Sequence, residues 1–293
     1  MIETEIKFGP ENSEMSESEL REYTLHRRFD RFGRLVGDAV MEKLFRSHVM
    51  VVGLGGVGSF AAESLARSGV GRLTLVDFDD ICVTNTNRQL HAMAGLIGEK
   101  KAQVMGERLR RVNPQAEIEV IDKFYSAATA AEILGRAPEL VLDCIDNLTA
   151  KCHLLATCHG RGLPVIASGG ASAKEDPLKI KFADLAETHT DPFVHEVRRI
   201  LRQKYGFPSE GVLGIPTVFS DERPTAPIEL HYDKGKGFRC VCPQGGNDQH
   251  SCEKRSMIYG TASYVTGAFG LVMASRAIAL LRANMAKTDV VAH

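Results

Sequence analysis

The sequence has almost no net charge: 36 lysines and arginines stand against 37 aspartates and glutamates, leaving −1. That excludes a uniformly basic nucleic-acid coat, although the cations can still cluster into local basic faces. A secretory leader is not expected either, because the opening MIETEIKFGPENSEMSESEL is acidic and polar with no apolar core. None of the seven cysteines forms a CxxC pair, so the usual two-knuckle zinc framework is missing. An odd number of scattered cysteines argues for a reducing compartment, and a cytoplasmic protein is expected. No internal repeat or low-complexity linker divides the chain. One uncharged run, 256–275, has the length of a membrane span. It is broken by Gly, Ser, Thr and Tyr and followed by Arg276. We therefore read it as a helix buried in the protein or a dimer interface, with no integral membrane span.

What is present is an alternation of strand and helix. HVMVVGLGG runs as a buried strand into glycines, and SFAAESLARSG follows as a helix stopped by Gly69 and Gly71. RLTLVD, AEIEVID, ELVLDCID and LPVIASGG supply four more strands, with helical stretches between them. The pattern over 49–170 predicts an α/β fold: a Rossmann-like, mostly parallel sheet with helices on both faces. PLKIKFADL and VLGIPTVFS extend that sheet towards the C-terminus, with a helix in DPFVHEVRRILRQKYG between them. We expect a flexible lead-in over 1–24, one continuous domain over 25–283 and a tail over 284–293. Within the domain, 221–256 is too long for a passive turn and reads as a functional loop.

GLGGVG places Gly53, Gly55 and Gly58 at fingerprint spacing, with Gly56 adding freedom, between an apolar strand and a helix. Such a loop lets backbone N–H groups and a helix N-terminus approach phosphate oxygens. Asp77 ends the next strand, where an acid can accept ribose hydroxyls. Neither feature separates a dinucleotide from ATP. The following DFDDICVTNTNRQ does, because Asn85, Asn87, Arg88 and Gln89 gather donors and a cation just past the ribose acid. Hydride transfer leaves phosphates untouched, whereas cleavage between the α and β phosphates needs charge stabilised there. Lys101 opens the next helix, either as a phosphate ligand or as a solvated residue of a charged face. LDCIDN brings Asp143 and Asp146 to a strand end beside the crevice. Asp146 suits either a magnesium ion across the phosphates or an N-cap for the helix at 148.

The order GxGGVG, DxDxxxxxNxNRQ, a lysine after a glycine, and DCxDN resembles the adenylating family related to ubiquitin-activating enzymes. The resemblance implies an acyl-adenylate formed from a carboxylate and ATP. It assigns the ribose to Asp77, the phosphates to Arg88 and Lys101, and magnesium to Asp146. Asn85, Asn87, Gln89 and Asn147 line the same site. Arg31, in RRFDRFG, matches an arginine that members contribute across a homodimer interface to the partner's ATP.

Within that family the chain is most similar to the tRNA threonylcarbamoyladenosine dehydratases, through RFGRLVG, ICVTNTNRQLHA, GGASAKEDPLKIKFADL and LGIPTVFSDE. Their activated carboxylate is the threonine carboxylate of a modified adenosine, so the implied partner is tRNA bearing threonylcarbamoyladenosine. The alternative is the C-terminal glycine of a sulfur-carrier protein, with sulfur-transfer proteins as further partners. Cys240, Cys242, His250 and Cys252 form C-x-C-x7-H-x-C; its first pair is too tight for the usual knuckle, so zinc is not expected. Any of these cysteines is also open to thioester formation. Cys144, Cys152 and Cys158 read as small buried hydrophobes. Arg198, Arg199, Arg202 and Lys204, or Arg108, Arg110 and Arg111, are candidate tRNA contacts or plain solvated faces. His195, His231 and His250 have no assignable partner, and no general base is named.

Overall fold

The computed structural model describes residues 16–230 and 259–291. Cys240, Cys242, His250, Cys252 and His231 lie outside the described residues, as does most of the expected loop.

Three helices come first: α1 (Glu17–Arg28), α2 (Asp30–Val36) and α3 (Asp38–Arg46). The chain then alternates through β1 (His48–Val52), α4 (Gly58–Arg67), β2 (Arg72–Val76), α5 (Lys101–Val112) and β3 (Glu117–Ile121). It continues through α6 (Ala130–Leu134), β4 (Leu140–Asp143), α7 (Leu148–Gly160) and β5 (Val165–Ser168). The last elements are β6 (Ile180–Asp184), α8 (Pro192–Tyr205), β7 (Pro216–Ser220) and α9 (Ser263–Val291).

The strands form one sheet in the order β3-β2-β1-β4-β5-β7-β6, parallel throughout except for the antiparallel β7–β6 pair. β1 is buried at all five positions, as its unbroken apolar sequence requires of a strand covered on both faces. Val49 and Val51 join the core under α3, α4, α5 and α9, and Met50 and Val52 the core under α6, α7 and α8. β6 has no buried position, which fits an edge strand. The strand order reverses between β1 and β4, and the carboxyl ends there bound the crevice in which open α/β sheets bind ligands.

Both chain ends differ from expectation. The lead-in is helical from Glu17, because Ser16 and Glu19 form a reciprocal capping box. The final helix, expected to stop near 283, continues to Val291 with no Gly or Pro to end it. Its Ser263–Asn284 part is, among the described residues, the one helix long and apolar enough to cross a membrane by length and composition. Half of that window is buried within the protein: Val265, Phe269, Met273, Ala277 and Leu281 point into the core at successive turns.

Glu63 joins α4 to α5. It accepts from Arg67 at 2.6 Å and from Arg108 at 2.6 Å. Burial raises its pKa, but the two arginines outweigh that and hold it below the usual value. Its stabilising effect is therefore complete above the unfolded-state pKa and is lost as pH falls through the lowered folded value. Glu63→Gln should cost about 1.5–3 kcal/mol at pH 7. The deficit should shrink towards pH 3, which urea unfolding at both pH values measures.

Candidate active site

Gly53 follows β1 with φ +89° and a backbone so close to β4 that a Cβ would lie 2.8 Å from the carbonyl oxygen of Cys144. Gly58, the first residue of α4, packs onto the same turn; a Cβ there would meet the Gly53 oxygen at 1.8 Å. These contacts bring the N-terminus of α4 directly over the end of β1, the arrangement that binds phosphate.

Asp77 is buried at the end of β2. Its Oδ2 accepts from Leu54 N at 2.6 Å and its Oδ1 from Asp79 N at 2.9 Å. The carboxylate thus clamps the glycine loop to the second strand, and each oxygen keeps a further lone pair for a hydroxyl. Burial pushes its pKa up, and the Lys101 charge pulls it back.

Lys101 is 6% exposed, which overturns the solvated-face alternative. Its Nζ lies 2.7 Å from Asp79 Oδ2, and its own N–H donates to the Asp79 carbonyl at 3.0 Å. Burial opposes the ammonium charge, but Asp77, Asp79 and Asp146 outweigh it and raise the pKa above the ordinary lysine value. The site therefore holds a permanent cation. Asp79 was missed in the sequence, although the second acid of DFDD was its signal.

The donor-rich run is organised by a 3-10 turn over Val83–Asn85. Asn85 is buried and its Oδ1 accepts from Cys82 N at 3.0 Å. Its carbonyl receives the N–H groups of Arg88 and Gln89, so it shapes the run as much as it lines the site. Asn87 donates to the Thr261 carbonyl at 2.9 Å, tying the run to the approach of α9. Arg88 Nη1 donates to Thr84 O and Asn87 Oδ1, both at 2.9 Å. Its stem lies against the phosphate loop, since a Cβ on Gly56 would come 3.2 Å from Arg88 Cγ. Gln89 is buried beside Gly55, and its Oε1 has no hydrogen-bond partner among the described residues. It is Nε2 that lies nearest Gly55, 3.9 Å from where a Cβ there would stand. His91 is fully buried with both ring nitrogens similarly unpartnered. Burial, with Lys101 and Arg108 nearby, holds its pKa down at about 3, so the ring is neutral.

The two acids after β4 have separate fates. Asp143 is fully buried and pairs with Lys151 of α7, 2.6 Å from Oδ2 to Nζ and 1% exposed on the lysine side. Sequence reading missed Lys151; a lone charge on a helix otherwise apolar around it was the available sign. Asp146 is exposed and makes no hydrogen bond or ion pair among the described residues. It is not the N-cap, because Asn147 takes that place, accepting from Ala150 N at 3.0 Å. That leaves the Asp146 carboxylate open to a hard, oxygen-seeking cation. Among the described residues, no cluster of three or more His, Cys, Asp or Glu could hold a metal on its own.

Other expected residues lie elsewhere. Arg31 is exposed on α2. Arg198 is turned inward onto the carbonyls of Leu185 and Thr188. Arg199 pairs with Glu196, and Arg202 donates to Pro208 O. Arg108 is engaged by Glu63, and Arg110 donates to Ile118 O. Both basic runs are thus largely occupied in holding the protein together, and His195 adds no partner to the crevice. Cys152 and Cys158 are fully buried, with pKa values pushed up by burial to about 11 and about 12. Cys144 is half-buried, its sulfur 3.8 Å from that of Met273.

Fold and site together define a nucleotide-binding α/β protein with a glycine loop at the carboxyl end of β1 and the stem of Arg88 against that loop. A buried lysine and an exposed carboxylate lie on neighbouring strand ends. The chain belongs to the ThiF family, whose pattern matches residues 29–291. It is 38% identical over 262 residues to the tRNA threonylcarbamoyladenosine dehydratase of Escherichia coli, covering 89% of this chain and 95% of that protein. The Bacillus subtilis protein of the same name is 38% identical over 251 residues, covering 85% and 92%. The crystal structure of the E. coli dehydratase in complex with ATP superposes with a TM-score of 0.77 at 36% identity, over 89% of this chain and 96% of that one.

The two acids after β4 should separate cleanly on mutation. Lys151→Met strands a buried Asp143 charge and should cost about 3–5 kcal/mol, lowering Tm by roughly 10 °C. Asp146→Ala, at an exposed site with no hydrogen bond among the described residues and only the weakest of the attractions on Lys101, should leave Tm unchanged within ~2 °C. Thermal unfolding of the two variants checks this.

Proposed function

We propose that this protein is an ATP-dependent dehydratase that cyclises the threonylcarbamoyl group of a modified adenosine in tRNA. The observation that carries the reading is Lys101, held charged between Asp77, Asp79 and Asp146 beside the phosphate loop. The near full-length likeness to dehydratases supports it.

In the first step a threonine carboxylate oxygen attacks the α phosphorus of ATP, and pyrophosphate leaves. Arg88 and Lys101 stabilise the negative charge growing on the phosphates, and the glycine loop contributes N–H groups. Asp77 holds the ribose through its remaining lone pairs. Asp146 would hold magnesium, which when bound neutralises phosphate charge. The neighbouring carbamoyl group then attacks the acyl carbon and loses a proton. AMP leaves with one carboxylate oxygen, so the nucleoside has lost the elements of water. Cytoplasmic tRNA is the substrate this implies.

ATP–pyrophosphate exchange should appear only with tRNA bearing the threonylcarbamoyl group, because without its carboxylate the α phosphorus has no nucleophile. Arg88→Ala, Lys101→Ala and Asp146→Ala should each slow exchange by about 10²–10⁴-fold. Exchange driven by a carrier protein's terminal glycine, with none from modified tRNA, would replace the dehydratase with a carrier-activating enzyme. Sulfur-transfer proteins would then be its partners.

The protein acts as a homodimer in which Arg31, exposed on α2 ahead of the sheet, reaches the partner's ATP. Arg31→Ala and Lys101→Ala proteins, each inactive alone, should regain about a quarter of the sites when mixed, since each hybrid holds one intact site. Mixtures that exchange subunits yet stay inactive would remove Arg31 from the site.

A further inference from the structure

The carboxyl edge of β5 carries a second buried charge cluster that the nucleotide chemistry does not use. Lys174 and Asp191 are each 3% exposed. Lys174 Nζ lies 3.5 Å from Asp191 Oδ2 and donates to the carbonyl of Gly170. The same Oδ2 accepts Gly170 N–H at 2.7 Å, while Asp191 Oδ1 caps α8 by accepting from Phe193 N at 2.9 Å. One carboxylate therefore joins the loop after β5, the start of α8 and the buried ammonium. The packing is tight at the two glycines: a Cβ on Gly169 or Gly170 would lie 3.0 Å from an Asp191 oxygen.

The far side of the same loop is fastened as well. Glu222 accepts the N–H groups of Glu175 and Asp176 at 3.0 and 2.9 Å. Ala173, at φ +61°, donates to Gly260 O and accepts from Thr225 N, both at 2.8 Å. A left-handed alanine is unfavourable and persists only where its surroundings dictate it. A buried ion pair is no better for stability than well-packed apolar groups, so here it serves to set one geometry.

Place gives that geometry a purpose. Asp77 stands at the end of β2, the phosphate loop at β1 and Asp146 just past β4. β4 pairs with β5 through Asp143 and Ala167, so the loop leaving β5 is the next stretch along the carboxyl edge. With ribose and phosphates over β2, β1 and β4, the β5 side is left for the incoming carboxylate.

We propose that Lys174 is a positioning residue for the carboxylate acceptor. Through Gly170 and Asp191 it fixes residues 169–176 as the wall against which the acceptor lies. The inference rests on the adenylation reading, but not on which acceptor is used. Lys174→Met keeps the volume and removes the donor; Lys174→Gln keeps a donor for the Gly170 carbonyl. The Met variant should raise KM for modified tRNA by about tenfold or more while Kd for ATP stays within about twofold. The Gln variant should recover most of the loss.

An unchanged tRNA KM in the Met variant would overturn the proposal. So would a parallel loss of ATP affinity, which marks a fold-wide role. If the Met variant does not fold, hydrogen exchange on the wild-type protein decides. Backbone amides of 169–176 should gain protection from modified tRNA with ATP and none from ATP alone; no gain with tRNA overturns the idea. A wild-type protein that ignores modified tRNA but adenylates a carrier glycine defeats the dehydratase reading alone. The same variants are then judged by the carrier's KM, on the same terms.

Discussion

Lys101 is kept charged inside the protein mainly by Asp77 and Asp79, with a smaller attraction from Asp146, and much of the site depends on that balance. Burying an ammonium is expensive unless it is paired and hydrogen-bonded. Asp79 supplies the close contact, while Asp77 and Asp146 add longer-range attraction. Asp77 in turn clamps the glycine loop through Leu54 N. One electrostatic knot thereby holds the loop after β1, the end of β2 and the start of α5. For the proposed adenylation, that knot offers a preorganised cation to an anionic ligand.

The protein places buried charge pairs at three successive points along the carboxyl edge of its sheet, each with different consequences. Lys101 and its acids lie where the end of β2 meets the start of α5. Asp143 and Lys151 are sealed beneath it, joining β4 to α7 and leaving Asp146 and Asn147 to turn away in opposite roles. Lys174 and Asp191 brace the loop beyond β5. Apolar packing alone would leave these loops several arrangements of similar energy, whereas a desolvated ion pair tolerates few.

The start of α9 frames this edge from one side, with Thr266 against Gly56 of the glycine loop. α9 packs on α4, whose own N-terminus overlies the end of β1, and Asn87 reaches Thr261 just ahead of α9. The run that carries Arg88 is thus moored both to its own turn at Asn85 and to the far end of the chain. That mooring explains why two asparagines accompany the arginine: each directs backbone and guanidinium into place, although the sequence suggested only ligand donors.

The sequence alone determined the architecture and supplied the residues proposed for the nucleotide site. Apolar runs of four to five residues alternating with helical stretches dictate a parallel sheet covered on both faces. Glycines at 53, 55 and 58 between strand and helix leave few other uses. Arg88, Lys101 and Asp146 could be proposed for it because each follows a strand that ends at the carboxyl edge. Tertiary structure decided what each charge does. Lys101 and the basic residues at 198–202 look alike in sequence, yet one is buried among acids and the others are largely tied to backbone carbonyls or a neighbouring glutamate. Asp143 and Asp146 stand three residues apart, and only the position of Lys151 makes one structural and leaves the other open. Lys174 and Asp191 meet from seventeen residues apart through the packing of α8 on the sheet. Charge interactions depend on distance and desolvation, and a residue's place in the chain specifies neither.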